Sequence, residues 1–264
     1  MPSKVQKIYK KIINHLGLNG SNKVFYHLGR ANFGDDINEY FFTELSGVKF
    51  KWGSTDAPHI LGIGSIAEKV TEKSIVVGSG FIKPVDFKVP IPSGIVSVRG
   101  VLSQQIFGCD LKYLGDPVSI INEIYKPVVD KKFRCGIIPH VSELKVYENL
   151  KLPDGVTIIN PADGPMSVVD KVVECENIIS QSLHGLIVAD AYGVPNVWVE
   201  PSKKMVGGLF KFQDYYSTTE QVKKPIKFSD IFQFNSLEYF VSKYKFNKQE
   251  YLGHIKKSLL IPNN

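Results

Sequence analysis

Short apolar runs alternate with segments of helical period along almost the whole chain. Val24 to Leu28, His59 to Ile63, Ser74 to Gly78 and Ile95 to Val98 are four such runs, each bounded by glycine- or proline-bearing turns. Their length and enrichment in Val and Ile predict strands buried on both faces, as in a parallel sheet. Between and after them, Asp36 to Leu45 and Val101 to Phe107 carry apolar residues at helical spacing. Lys112 to Leu114 reads as a further strand, and residues 4 to 16 as an amphipathic helix preceding the first one. A charged, proline-bearing stretch from Lys126 to Lys132 reads as a linker, after which the pattern starts again. Arg134 to Ile138, Val156 to Ile159, the run ending at Ile178 and Ile179, and Asn196 to Val199 predict strands. Pro165 to Glu174 and the segment ending at Gly193 and Pro195 predict helices.

Strands alternating with helices predict an α/β protein with two Rossmann-like lobes and a cleft between them. The first lobe is expected over residues 1–125 and the second over 126–236. A terminal helix within 237–264, periodic from Leu237 to Leu259, is expected to brace the first lobe.

Composition narrows the picture only slightly. The 264 residues are 43% hydrophobic and 22% charged, as in ordinary globular proteins. No apolar run approaches the ~20 residues that cross a bilayer, and the first residues lack the apolar core of a signal peptide, so a cytoplasmic location is expected. The three cysteines, Cys109, Cys135 and Cys175, are scattered without metal-site spacing and read as buried reduced thiols. A net charge of +6 suits anionic substrates or an acidic membrane surface. Lysines at Lys4, Lys7, Lys10, Lys11 and at Lys243, Lys245, Lys248, Lys256, Lys257 offer a peripheral contact with anionic lipid, against the plainer reading of solvated helix faces. No nucleic-acid motif accompanies the charge, and nucleic acid is not expected as a partner.

The most informative segment runs from Ile178 to Pro195, where Ser182-Leu183-His184-Gly185 stands between a strand and a helix. That corner is the carboxyl end of a strand, where open α/β sheets bind ligands, and a helix start favours an anion beside His184. The competing reading makes Ser182 a helix cap and His184 a packing residue.

This segment closely resembles the Ser-Leu-His-Gly, apolar helix and Gly-x-Pro ending of the polysaccharide pyruvyl transferase family. Asn32-Phe33-Gly34-Asp35-Asp36-Ile37-Asn38 resembles that family's Asn-x-Gly-Asp motif. Gly62-Ile63-Gly64-Ser65-Ile66 and Gly78-Ser79-Gly80 resemble its glycine turns, and Val98-Arg99-Gly100 its Val-Arg-Gly motif. Leu114-Gly115-Asp116-Pro117, Ile137-Ile138-Pro139-His140 and Lys211-Phe212-Gln213-Asp214-Tyr215 follow in the same order. The resemblance extends from about residue 24 to about residue 217.

The resemblance implies a glycosyltransferase-B-like pair of lobes and transfer of the enolpyruvyl unit of phosphoenolpyruvate onto two hydroxyls of a sugar. A cyclic ketal forms and phosphate leaves. The acceptor it implies is a bacterial surface polysaccharide or its lipid-linked precursor. Such chemistry needs cations for phosphate and carboxylate, together with an acid and a base. His184 matches the motif histidine, and an imidazole there serves donor binding and general acid catalysis. Asp35 is placed to orient or deprotonate an acceptor hydroxyl, with helix capping as its competing role. His140 is expected as a second cleft residue near the phosphate.

Given the resemblance, Arg99 is assigned to the donor because its guanidinium makes paired hydrogen bonds to carboxylate or phosphate, against the plainer reading of a surface ion pair. Ser182 stands where some relatives carry an arginine, and Lys211 is the cation that compensates, unless its stem merely covers apolar surface. Asn32 and Asn38 are assigned to sugar hydroxyls. His27 reads as packed within the first strand, and Asp116 and Glu200 as turn residues. The Gly-x-Gly turns lack the rest of a dinucleotide fingerprint, so neither nicotinamide nor metal is expected, and phosphoenolpyruvate enters as substrate. Two other functions share this fold: a glycosyltransferase using a nucleotide sugar, and a catalytically silent glycan-binding relative.

Overall fold

The apolar runs become the strands of two separate parallel sheets in the computed structural model, which describes residues 22–259. The helix expected over residues 4 to 16 lies outside the described residues, with the four lysines it carries. The first sheet contains β1 (Asn22–Phe25), β2 (Phe50–Trp52), β3 (His59–Leu61), β4 (Ser74–Val77) and β5 (Gly94–Ser97). Its order is β2-β1-β3-β4-β5. The second contains β6 (Phe133–Ile138), β7 (Val156–Ile158), β8 (Cys175–Ser180) and β9 (Asn196–Trp198), in the order β7-β6-β8-β9. Toward their carboxyl ends the central strands are apolar and buried, as at Ile60–Leu61, Ile137–Ile138 and Ile178–Ile179, because both faces are covered there.

Each sheet reverses its order once. In the first the chain crosses from one side of β1 to the other, so the reversal falls between β1 and β3. In the second it falls between β6 and β8. Loops that leave such neighbouring strands in opposite directions open a crevice at their carboxyl ends.

Among the helices, α1 (Phe33–Asp36) and α2 (Asn38–Ser46) replace the single helix expected from Asp36. Asn32 caps α1 by accepting the Asp35 N–H at 3.2 Å, so the helical turn starts earlier than the apolar spacing shows. The third helix, α3 (Val101–Phe107), has the expected bounds. Next come α4 (Leu144–Glu148), α5 (Pro165–Val173), α6 (Leu183–Ala191), α7 (Phe210–Tyr216) and α8 (Lys248–Leu259).

Helix α6 is apolar all round, with Leu186, Ile187, Val188 and Ala189 fully buried. It is covered by β8 and β9 on one side and by the 3-10 segment Pro117–Glu123 on another. That packing joins the two sheets through one continuous apolar core, which runs from Val24 and Phe42 to Ile187 and Tyr251. A smaller cluster around Cys135, Tyr147, Ile179 and Ile231 fills the far face of the second sheet.

Several elements depart from the sequence reading. Lys112 to Leu114 forms only a single bridge, Val98 with Leu114. Strand β2 and helices α4 and α7 were not foreseen. The terminal helix begins at Lys248 and not at Leu237, because residues 237–247 run as extended chain along the second unit. Phe240 pairs with Asn196 and Tyr244 with Thr219, while Lys223 Nζ donates to the Phe240 carbonyl at 2.6 Å. Helix α8 then lies against β5, where Tyr251 Oη donates to the Gly115 carbonyl at 2.5 Å and His254 Nε2 meets the Val96 carbonyl at 3.0 Å. Among the described residues no helix is long and apolar enough to cross a membrane.

Candidate active site

The two order reversals face one cavity of about 320 Å³. His27, Asn32, Phe33 and Asp35 enter it from the loop after β1, and Gly64, Ser65 and Glu68 from the loop after β3. The second unit contributes His140 after β6, Ser182 and His184 after β8, and Lys211 from α7. The loops thus bring together six of the eight residues singled out from the sequence: Asn32, Asp35, His140, Ser182, His184 and Lys211.

The first-unit wall is built around an asparagine and a carboxylate. Asn32 Nδ2 hydrogen-bonds Asp35 Oδ2, and its backbone N–H donates to Asp36 Oδ2 at 3.2 Å. Asp36 therefore takes the return half of the cap, and Asp35 is turned toward the cavity. Burial raises the Asp35 carboxyl above the usual carboxylate range, although the Asn32 hydrogen bond, His27 and His184 pull it the other way. Burial dominates, which favours a carboxyl that holds and releases a proton.

On the opposite wall, Lys211 is only 9% exposed. Its Nζ lies 5.3 Å from the Phe212 ring centroid and has no hydrogen-bond or carboxylate partner among the described residues. Burial, with the Arg99 charge added, lowers it to about 8 against a smaller pull from Asp35, so it carries its charge at neutral pH. His140 is pushed down to about 4 by burial and by the positive charges of Lys211 and Arg30. It is therefore neutral near pH 7, with Nδ1 2.8 Å from Ser142 Oγ and its backbone N–H held by Gln181 Oε1 at 3.4 Å.

Ser182 occupies the N-cap position of α6 in extended conformation, but its side chain makes no capping hydrogen bond. The first-turn N–H groups of Leu183, His184 and Gly185 have no acceptor among the described residues. They add partial positive charge to the same wall. His184, 14% exposed in its side chain, lies tilted against Phe33 with ring centroids 6.2 Å apart. It lies directly over Gly34, where an added Cβ would fall 2.1 Å from both Nδ1 and Cε1. The glycine of the Asn-x-Gly-Asp motif is thus what lets the Ser-Leu-His-Gly imidazole enter the cavity.

Two assigned residues are not in the lining. Arg99 is fully buried, with Nε on Asp214 Oδ2 at 3.0 Å, Nη1 on Ser65 Oγ at 2.6 Å and Nη2 on the Phe81 carbonyl at 2.5 Å. Its fork is satisfied by the protein, so it supports the wall through Ser65 and does not face a ligand. Asn38 is likewise buried, donating to the Gly34, Asp35 and Ile63 carbonyls and accepting the Ile63 N–H at 2.8 Å. Its amide ties the Asp35 loop to the end of β3 and has nothing left for a sugar.

Other residues at the site were read otherwise from the sequence, His27 as packed in the first strand and Asp116 as a turn residue, and Glu68 was not read at all. His27 lies beyond β1, exposed and in the cavity wall, because β1 ends at Phe25. Glu68 joins the wall from a 3-10 turn after the Gly-x-Gly segment. Asp116 is fully buried, with Oδ2 3.5 Å from His184 Nε2. Among the described residues no group of three or more His, Cys, Asp or Glu side chains is placed to hold a metal ion.

Comparison with known proteins fits this geometry. Uncharacterized protein L143 of Acanthamoeba polyphaga mimivirus is 27% identical over 214 residues, which is 74% of this chain and 73% of that protein. Succinoglycan biosynthesis protein ExoV of Rhizobium meliloti (strain 1021) is 27% identical over 215 residues, 76% of this chain and 66% of its own length. No solved structure matches the chain significantly. The profile of the family described as polysaccharide pyruvyl transferase matches residues 18–203, which contain every cavity residue named above except Lys211. That match spans well over half of the chain, and the chain belongs to the polysaccharide pyruvyl transferase family.

Proposed function

We propose that the protein transfers the enolpyruvyl unit of phosphoenolpyruvate onto two hydroxyls of a saccharide, forming a cyclic ketal and releasing phosphate. The observation that carries this reading is the lining of the cavity: one wall offers Lys211, two imidazoles and an α6 helix start, the other Asn32 and the carboxyls of Asp35 and Glu68, with His27 and Lys69 beside them. A small, multiply charged anion suits the first wall and a hydroxyl-bearing sugar the second. Family membership and the likeness to a succinoglycan biosynthesis protein support a polysaccharide or its lipid-linked precursor as acceptor. The two units are read as a glycosyltransferase-B-like pair, and a membrane-linked acceptor gives the basic surface an anionic partner.

In this reading Lys211 and the first-turn N–H groups of α6 hold the donor's phosphate and carboxylate. The methylene carbon gains a proton, and the neighbouring carbon becomes cation-like. One hydroxyl adds there, phosphate departs, and the second hydroxyl closes the ketal. Two hydroxyl protons are lost, one balancing the new methyl group and the other leaving with phosphate. Asp35, whose carboxyl burial raises above the usual range, serves the hydroxyl side. His184 serves the phosphate side. His140, uncharged at that pH, is confined to hydrogen bonding and proton acceptance. The reaction draws on the donor and the protein side chains, and we assign no cofactor.

Incubation with phosphoenolpyruvate and a panel of galactosides, glucosides and N-acetylmannosamine derivatives tests this. Phosphate release that depends on the sugar, with the mass gain of one ketal-linked pyruvate, is expected. Turnover only with a nucleotide sugar would replace this reading with glycosyl transfer, and sugar binding without turnover would leave a glycan-binding module.

A further inference from the structure

The Gly-Asp-Pro segment near the end of the first unit has no role in the chemistry above, yet it reaches the active-site histidine. Asp116 Oδ2 and His184 Nε2 lie 3.5 Å apart, both are buried, and neither has a hydrogen-bond partner among the described residues. A buried carboxylate oxygen and a buried ring nitrogen left unpaired are costly, and each is the other's nearest remedy. The rest of the carboxylate is fixed. Asp116 caps the 3-10 segment Pro117–Glu123, with Oδ1 accepting the Val118 N–H at 3.0 Å. The adjoining Pro117 packs against Gly78, where a Cβ would meet its ring at 2.0 Å, and the Gly115 carbonyl is held by Tyr251. The oxygen that faces His184 is therefore held in place by its neighbours on both sides.

We propose that Asp116 is the positioning residue of this site, holding the proton of His184 on Nε2 and presenting Nδ1, which lies over Gly34, to the ligand. Neighbours of the imidazole are Phe33, Gly34 and Asp35 on one side and Asp116 on the other. Of these only Asp116 meets Nε2. The fixed carboxylate also supports the charged imidazolium when Nδ1 takes a proton, the arrangement of a carboxylate-oriented histidine base. Only the effect on turnover rests on the proposed reaction; the tautomer does not.

The geometry makes the amide substitution decisive. In Asp116→Asn the Val118 N–H still requires an oxygen, which turns the amide NH₂ toward His184 Nε2. Nε2 must then accept, and the proton moves to Nδ1. The cap is kept, so the fold is kept. Nitrogen-15 NMR of the full chain labelled at histidine, at a pH where the ring is neutral, reads the tautomer directly. The His184 signal is assigned by its loss in His184→Gln. The wild type is expected to show a protonated Nε2 and a bare Nδ1, and Asp116→Asn the reverse, with kcat for phosphate release from phosphoenolpyruvate reduced by about 10²-fold. A wild-type His184 protonated on Nδ1, or a tautomer unchanged in Asp116→Asn, overturns the proposal. If the variant does not fold, the wild-type spectrum alone decides. A wild type that shows the Nε2 proton but never turns over phosphoenolpyruvate rejects the reaction and leaves the positioning intact.

Discussion

Lys211 concentrates the electrostatics of the cavity in one side chain. Its lowering to about 8 means that the free site loses a cation as pH rises through that value. Donor affinity is therefore expected to weaken above about pH 8, while bound phosphoenolpyruvate itself favours the protonated amine. A KM-against-pH profile checks this. Lys211→Arg, which stays charged, should flatten the profile, and Lys211→Met should raise the donor KM by roughly 10-fold or more at neutral pH, the loss of one charged hydrogen bond. Gly34 is the second sensitive residue. Gly34→Ala drives a methyl into the His184 ring and is expected to reduce kcat by about 10²-fold, as displaced catalytic groups do. An unchanged melting temperature would separate this loss from unfolding.

At the same scale the sequence was informative for side chains in loops after strands, and silent on tertiary partners. Asp35, His140, Ser182 and His184 follow apolar runs, so their place at a sheet edge was legible. The burial of Arg99 was not, because its ion-pair partner Asp214 is 115 residues away and nothing local marks the contact. Asp116 was hidden for the same reason, since its turn is ordinary in sequence and its neighbour is His184 of the other unit.

Two elements carry the support behind the cavity. The end of β5 meets α7 through the Arg99–Asp214 pair, and Asp214 also accepts from the Ser103 N–H at 3.0 Å and from Ser103 Oγ at 2.6 Å. Arg99→Met leaves that carboxylate buried without its cation, for which a loss of about 3–5 kcal/mol is expected in denaturant unfolding. Helix α8 secures the other side of β5. Tyr251 is fully buried, and Tyr251→Ala is expected to remove about 3–5 kcal/mol, read from the same titrations, by opening a cavity and freeing the Gly115 carbonyl. Strands and most helices were legible within a few residues because their apolar periods are strong. Strand β2 was missed because Phe50–Trp52 is three residues long with a lysine at its centre. The start of the terminal helix was misread because Phe240, Tyr244 and Phe246 fit both a helical and an alternating pattern, and pairing with Asn196 and Thr219 selects the extended one.

For the whole molecule, two parallel sheets place their order reversals against one cavity, and a fully buried helix α6 fixes their separation. The order β2-β1-β3-β4-β5 was not readable from the sequence, because strand adjacency is decided by crossovers and not by local pattern. That the family-like motifs of both units meet in one place is the basis of the functional reading. It is tested most directly by a crystal structure of the full chain grown with phosphoenolpyruvate. The account predicts the phosphate within hydrogen-bond reach of Lys211 Nζ and the first turn of α6, with His184 beside it. Phosphoenolpyruvate bound elsewhere, or a cavity that stays empty at saturating donor while accepting a nucleotide sugar, would contradict it.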